Sequence, residues 1–449
     1  MREHFVVSTE LCIILTTIAF IPVAWDKKHH NHPRWDIFFV DTTIGAYMWM
    51  VVVFGNSSRL PYVVHTKSIN GVTAYIHIRL FIVLSITTPN QLMSGATTNT
   101  IDTYANKGLT GLVNMGNTCF VNTCLQMLSH TYELNDIMDK DGFSTQLNRS
   151  KPDSVLMNEW DTLRKIMWKQ NCIVEPGKFI HTIQQVAKVK GVELFTGFSQ
   201  NDISEFLLFI IDCFHTSIAR PVNIHVNGKA DTDTDQIAVK VYSKIKEMYS
   251  SEYSEVWNLF YGMHISQLVS CKTGKVLSHI PEPFFTVSLS IPRGKVVTSL
   301  YECFDHYVAG ERLEGENGRR DEKTNEREDV IKNLTYWSLP TILCIDLKRF
   351  DASNKKNQQM ISFPLTDLDM RKYVIGYQKE SYHYDLYGVC NHHSGSAQGG
   401  HYTGSIKNAN GKWYEFDDSS IGAIANATDI ITPRAYCLFY RKRGTYTTT

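Results

Sequence analysis

A chain of 449 residues with 45 Lys and Arg against 45 Asp and Glu has no net charge at pH 7, so it lacks the cationic footprint of a dedicated nucleic-acid binder. Its 43% hydrophobic, 12% aromatic and 20% charged residues describe a packed globular protein and exclude wholesale disorder or a collagen-like fibre. The length suits one large multi-lobed domain or two or three smaller ones. Ten cysteines are scattered along it without a single CxxC pair, which argues against a disulfide scaffold and makes buried thiols the default.

Residues 1–105 form an N-terminal extension with apolar clusters at 11–25, 42–54 and 80–88. A bilayer crossing takes about 20 apolar residues. Glu10 and Asp26 bound the first cluster, Asp41 the second, and His77 and Arg79 the third. Two readings stand, a buried or irregular extension and a membrane-associated segment within residues 1–100. The weakly basic start MREHFVVSTE, with no small-residue cleavage site after Ala24, argues against a signal peptide. His29, His30 and His32 are too few and too loosely held for a metal site and suit a solvated loop.

From Asn106 onward helical and strand patterns alternate. Leu156, Trp160, Leu163 and Met167 fall on one helical face, as do Phe179, Ile180, Ile183 and Val186. A stronger stripe is Ile203, Phe206, Leu207, Ile210, Ile211 and Phe214, in a helix that Ser199 caps with Asp202 at its third position. Residues 110–215 are therefore mostly helical. Strand patterns follow at 284–292, 341–350, 384–390, 401–407, 412–416 and 435–442. Residues 311–329 carry both charge signs and suit a solvated loop or ribbon tip, and 442–449 form a flexible tail.

Chemistry concentrates in two places. In GLTGLVNMGNTCFVNTCLQML, residues 108–128, a Gly- and Asn-rich turn runs into a helical stretch with Cys119 at the junction. Free N–H groups and aligned dipoles at a helix N-terminus favour thiolate, the nucleophilic form. Cys124, inside the same helix, should be buried and inert. Asn114 in the turn could donate to a developing oxyanion. The second place is residues 392–420, where His401 follows Gly399 and Gly400. The Asn410-Gly411 hairpin signal folds strand 401–407 back on 412–417, toward Asp417 and Asp418. Because facing positions alternate along strands, a two- or four-residue loop puts Asp418 on the imidazole's face, and a three- or five-residue loop or a bulge puts Asp417 there.

These segments resemble the ubiquitin-specific proteases. GLVNMGNTCFVNTCLQ is similar to that family's cysteine box, SQNDISEFL to its glutamine/aspartate helix, LPTILCIDLKRF to its palm strand, and GGHYTGSIKNANGKWYEFDDSS to its histidine box. The resemblance covers residues 108–441 and implies an α+β, papain-like catalytic domain of thumb, palm and fingers, with helices 110–220 as thumb and the late sheet as palm and fingers. It implies Cys119 as nucleophile, His401 as base and later acid, Asp417 as the residue orienting His401, and Asn114 at the oxyanion. For ubiquitin's basic, slim tail it implies contacts from Asp202 and Glu205, with Gly399, Gly400, Tyr402 and Asp418 around the slot. The implied activity is thiol-dependent cleavage after ubiquitin's C-terminal glycine, with ubiquitin and ubiquitinated proteins as partners and no cofactor.

One departure matters. Many members bind a structural zinc through two CxxC pairs, whereas here only Cys271 is present and Gly274 stands at its partner position, so no metal is expected. Two alternatives accompany this reading: a catalytically inactive ubiquitin-binding adaptor, and a protease for another ubiquitin-like modifier. A reduced nucleophile implies a cytoplasmic or nuclear location.

Overall fold

The computed structural model describes residues 101–446 except 141–142, 322–324 and 395–398, together with the backbone of strands at 65–69, 72–76 and 85–87. The chain divides into two units, residues 1–97 with 223–229, and the remainder. In the first unit His65–Ile69 pairs antiparallel with Val72–Ile76, and Ser85–Thr87 with Asn223–His225. The histidine cluster and the apolar clusters proposed for membrane association lie outside the described residues, save for the strand Ser85–Thr87. Among the described residues no helix is long and apolar enough to cross a membrane.

The second unit begins with helices. We label Cys119–Ser129 α1, Asp153–Lys169 α2, Gly177–Lys190 α3 and Ile203–Ile218 α4. The apolar positions expected on α2, α3 and α4 are all buried. α4 starts later than the sequence suggests: its cap is Asp202, whose carboxylate accepts from the backbone N–H of Ser204 and Glu205, not Ser199. A carboxylate suits that position better than a hydroxyl set three residues earlier, because it takes two otherwise unpaired N–H groups at once and meets the positive end of the helix dipole. α3 stops at Gly191, which takes the left-handed φ of 70° that ends helices.

The palm is one mixed sheet. Its main strands are β1 Thr286–Ser290, β2 Ile342–Lys348, β3 His383–His393, β4 His401–Lys407, β5 Trp413–Asp417, β6 Ser420–Ile424 and β7 Ala435–Lys442, with a short eighth, Leu368–Asp369, paired to β3. Across the sheet they run β6-β5-β4-β3-β7-β2-β1, so the last strand in sequence is interior. Alternation along β2 explains its near-continuous apolar run. Ile342 and Cys344 join the core shared with the thumb helices, whereas Leu343, Ile345 and Leu347 join a second core on the opposite face that includes Leu300, Cys303 and Phe304. Thumb and palm are also pinned by a buried ion pair. Arg441 of β7 donates to both carboxylate oxygens of Glu133, at 2.7 and 3.2 Å, and to the His130 carbonyl at 2.8 Å.

The fingers are a four-stranded antiparallel sheet in the order Glu311–Leu313, Val330–Ser338, Gly262–Ser270, Val276–Phe284. The charged stretch 311–329 ends in the expected ribbon tip, with Arg319–Arg320 paired to Arg327–Glu328. Cys271 sits in the turn beyond Ser270, its N–H bonded to the Asp329 carbonyl, and Gly274 closes that turn at φ 67°. Backbone pairing thus closes the turn at the tip. Helix Asp233–Tyr249 escapes a periodicity search because Ala238 and Val241 are its buried positions. Its capping box, Thr232 with Asp235, is the signal that would have found it.

Candidate active site

Cys119 is the first residue of α1, and the turn before it is built by one amide. Asn114 Oδ1 accepts from the N–H of Gly116 at 3.0 Å and of Thr118 at 3.2 Å, while Gly116 and Asn117 take positive φ values of 102° and 55°. The chain therefore enters the helix with its first N–H groups turned toward the sulfur. The Cys119 side chain is buried, 3% exposed. Burial is the dominant influence on the thiol and pushes its pKa up; backbone N–H groups of Tyr402, Phe120 and Cys119 oppose this, and the charge of Asp418 adds to it. This corrects the expectation of a resting thiolate. The helix terminus is present, but desolvation outweighs it, so the proton stays until a base removes it. Cys124 behaves as expected, buried and pushed up by burial alone.

The tie between the two aspartates is settled by register. β4 and β5 pair Gly404 with Phe416 and Lys407 with Trp413, leaving the five-residue connection 408–412 with Gly411 at φ 81°. A five-residue loop puts His401 and Asp417 on the same face, and His401 Nε2 donates to Asp417 Oδ1 at 2.6 Å. Nδ1 is then the nitrogen left for the thiol. The backbone hydrogen bond from Tyr402, the next residue along β4, to the Cys119 sulfur brings the histidine strand against the nucleophile.

Asp418, for which the resemblance implies a place around the slot, is hydrogen-bonded to the cysteine loop and α1. Its Oδ2 accepts from Asn114 Nδ2 at 2.9 Å and its Oδ1 from Asn122 Nδ2 at 2.7 Å, so its two oxygens are taken up by amides of the cysteine loop and α1. The same turn meets the strand before the loop: the Leu112 N–H donates to the Asp418 carbonyl at 2.8 Å. A Cβ on Gly111 would stand 2.3 Å from the Ser419 carbonyl oxygen, so only glycine permits this approach. Segments about 300 positions apart in sequence are in this way stitched together at the Asp417-Asp418 turn. His401, Asp417 and Asp418 bring ligand-type atoms within 4.8 Å of one another, but the acids already hold the imidazole and the two amides.

The proposed tail residues are arranged as follows. Asp202 caps α4 with Oδ1 and accepts from the Tyr436 hydroxyl with Oδ2 at 2.5 Å. Glu205, on the first turn of α4, is exposed. Gly400 has φ 146° and lies where a Cβ would come within 2.6 Å of His392 Nε2. The Tyr402 ring is 4% exposed and packs on His392, so its backbone, not its ring, meets the slot. Two residues went unassigned in the sequence. Gln200 Nε2 donates to the Gly400 carbonyl at 2.5 Å and stands 3.8 Å from Cys119 Sγ. Asp346 on β2 has its Oδ1 buried without a partner, and burial plus the charge of Asp202 raises its pKa to about 6. An acid amid the apolar run TILCIDLKRF was the available signal for it.

Comparison with known proteins identifies the family. A family model described as ubiquitin carboxyl-terminal hydrolase matches residues 110–440. Ubiquitin carboxyl-terminal hydrolase 2 of Bos taurus is 32% identical over 356 residues, 76% of this chain and 56% of that protein. Ubiquitin carboxyl-terminal hydrolase Usp2 of Drosophila melanogaster is 30% identical over 345 residues, 75% of this chain and 35% of that protein. The chain thus spans little more than half the length of the bovine relative. Among solved structures, the SAGA Ubp8/Sgf11/Sus1/Sgf73 DUB module bound to ubiquitin aldehyde contains a similar chain, with a TM-score of 0.58 at 26% identity, covering 76% of this chain and 70% of that one. With the cysteine loop, the histidine strand and nearly all of the palm sheet inside the matched region, this chain belongs to the ubiquitin carboxyl-terminal hydrolase family.

Proposed function

We propose that residues 108–441 are a thiol-dependent deubiquitinating hydrolase that cleaves the isopeptide or peptide bond after the C-terminal glycine of ubiquitin. One observation carries this reading: the N–H next to His401 reaches the Cys119 sulfur while Asp417 holds His401 Nε2 at 2.6 Å, which leaves Nδ1 for the thiol proton. The bovine relative's name and the ubiquitin aldehyde in the similar solved structure support the choice of substrate.

In this mechanism His401 Nδ1 takes the Cys119 proton and Asp417 stabilises the imidazolium. The thiolate attacks the glycyl carbonyl, forming a C–S bond and moving the carbonyl electron pair onto oxygen, where the Cys119 N–H and Asn114 can receive it. Collapse expels the amine, protonated by His401, and leaves a thioester. His401 then deprotonates water, which attacks the thioester and releases ubiquitin with a free carboxylate and Cys119 as the thiol. The exposed Glu205 supplies negative charge for the basic tail, Asp202 fixes the helix start beside it, and Gly399 and Gly400 keep the slot narrow. The chemistry suits the cytosol or nucleus, and residues 1–100 are the segment through which a membrane would be reached.

Ubiquitin carrying a C-terminal electrophile tests the reading. Wild type is expected to form a covalent adduct that Cys119→Ala abolishes. Tight ubiquitin binding without an adduct would identify an adaptor instead, and turnover of a different ubiquitin-like modifier in preference to ubiquitin would reassign the substrate.

A further inference from the structure

We propose that Gln200 is a catalytic residue, its side-chain amide donating a hydrogen bond to the oxyanion that forms on the carbonyl carbon bonded to Cys119 Sγ. The proposal rests on the deubiquitinase reading. It starts from geometry: Gln200 Nε2 stands 3.8 Å from Cys119 Sγ with a hydrogen directed at the sulfur. In the tetrahedral adduct the oxyanion is two bonds from that sulfur, within the reach of a donor already aimed at it.

The orientation of the amide is dictated by its other partner. Nε2 faces the Gly400 carbonyl at 2.5 Å, and a carbonyl oxygen can only accept, so the end of the side chain in the slot is NH2 and not C=O. That group has two hydrogens, one for Gly400 and one for the sulfur. The segment bearing Gln200 is tied to the cysteine loop on one side and braced by its own neighbours on the other. Asn117 Nδ2 donates to the Phe198 carbonyl at 3.1 Å, and Asn201 Nδ2 donates to the carbonyls of Leu194 and Ser199, each at 2.9 Å. The donor is thus held in place before the substrate arrives, which is what gives an oxyanion donor its effect.

The position of Asn114 makes a second side-chain donor useful. Its oxygen is committed to Gly116 and Thr118, and one hydrogen of its Nδ2 to Asp418, so it approaches the adduct with a single hydrogen. Gln200, on the segment leading into α4 and 3.8 Å from Cys119 Sγ, contributes another.

The test compares Gln200→Ala and the isosteric Gln200→Glu with wild type, using the full chain, fluorogenic ubiquitin, ubiquitin aldehyde and free ubiquitin. The aldehyde adds the Cys119 sulfur across its carbonyl, so its carbon becomes tetrahedral and its oxygen occupies the oxyanion position, whereas free ubiquitin makes only the tail contacts. Removing one such donor lowers kcat by roughly 100-fold with KM changed less than about threefold, and weakens the aldehyde by a similar factor while free ubiquitin binds as before. The glutamate variant, which keeps the shape of the side chain but has no N–H, is expected to lose at least as much. Variants with kcat near wild type overturn the proposal, as does equal weakening of aldehyde and free ubiquitin, which would make Gln200 a tail contact. A wild type that neither turns over ubiquitin nor binds the aldehyde instead overturns the deubiquitinase reading itself.

Discussion

Replacing Asp418 with asparagine separates two effects that this carboxylate combines. Its two oxygens accept from Asn114 and Asn122, at 2.9 and 2.7 Å. Asparagine keeps one acceptor and turns an NH2 toward the other amide, so one charge-assisted hydrogen bond is lost and the survivor is weakened. Such a bond contributes about 1.5–3 kcal/mol. If that loss is felt as misplacement of Asn114 in the transition state, kcat/KM falls by roughly 10- to 100-fold. The thiol should move the other way. The negative charge of Asp418 favours the protonated sulfur, so neutralising it lowers the pKa of Cys119, and alkylation of Cys119 should reach its plateau at a lower pH than in wild type. Fluorogenic ubiquitin gives the first quantity. The pH dependence of Cys119 alkylation, read by peptide mass spectrometry so that the other cysteines do not interfere, gives the second. A variant with wild-type kcat/KM, or one whose alkylation profile shifts to higher pH, would refute the assignment of Asp418 as the charged link between the loop and the histidine hairpin.

Arg441→Met should cost about 3–5 kcal/mol because it strands the buried Glu133 carboxylate, and adding Glu133→Leu should recover most of it; denaturant melts of the two variants test this. Asp346→Asn should raise the melting temperature at pH 8 and give no gain at pH 4. The folded-state pKa of Asp346, about 6, lies above the unfolded value, so wild type loses stability as pH rises between about 4 and 6, by up to about 3 kcal/mol less the hydrogen bonds lost on substitution. A variant no more stable than wild type at pH 8 would count against the raised pKa. Gly111→Ala should separate the Asp417-Asp418 turn from the cysteine loop, lowering kcat/KM at least about tenfold and stability by about 1–3 kcal/mol, and wild-type turnover by this variant would show that the contact yields without consequence.

The candidate site was legible to the extent that it depends on local signals. A cysteine at a turn-to-helix junction, Gly-Gly before a histidine and an Asn-Gly hairpin followed by two acids are all short-range patterns. The apolar stripes of α2, α3 and α4 were equally plain because each buries one helical face. The choice between Asp417 and Asp418 stayed open in the residues alone, since it turns on whether the β4–β5 connection has four residues or five. The state of the Cys119 thiol was missed because desolvation is set by what packs over the sulfur, including Tyr402 from far along the chain. Gln200 was invisible as a partner of Cys119 for the same reason. The start of α4 was misplaced because Ser199 and Asp202 are both good cap residues. The long helix Asp233–Tyr249 buries too little to leave a stripe, and the finger strands are mostly half-buried, which blurs their alternation.

The place of β7 in the palm sets a constraint on biosynthesis. Because Ala435–Lys442 is flanked by β3 and β2, a nascent polypeptide still missing these residues has a gap through the middle of its palm and no Arg441 to hold Glu133. The nucleophile and the imidazole will both have been translated by then, yet the sheet that sets them side by side cannot close. Assembly of the site therefore waits for the end of translation of this domain, and a stop codon shortly before residue 435 would yield a chain that carries Cys119, His401 and Asp417 without the strand that completes the sheet between them.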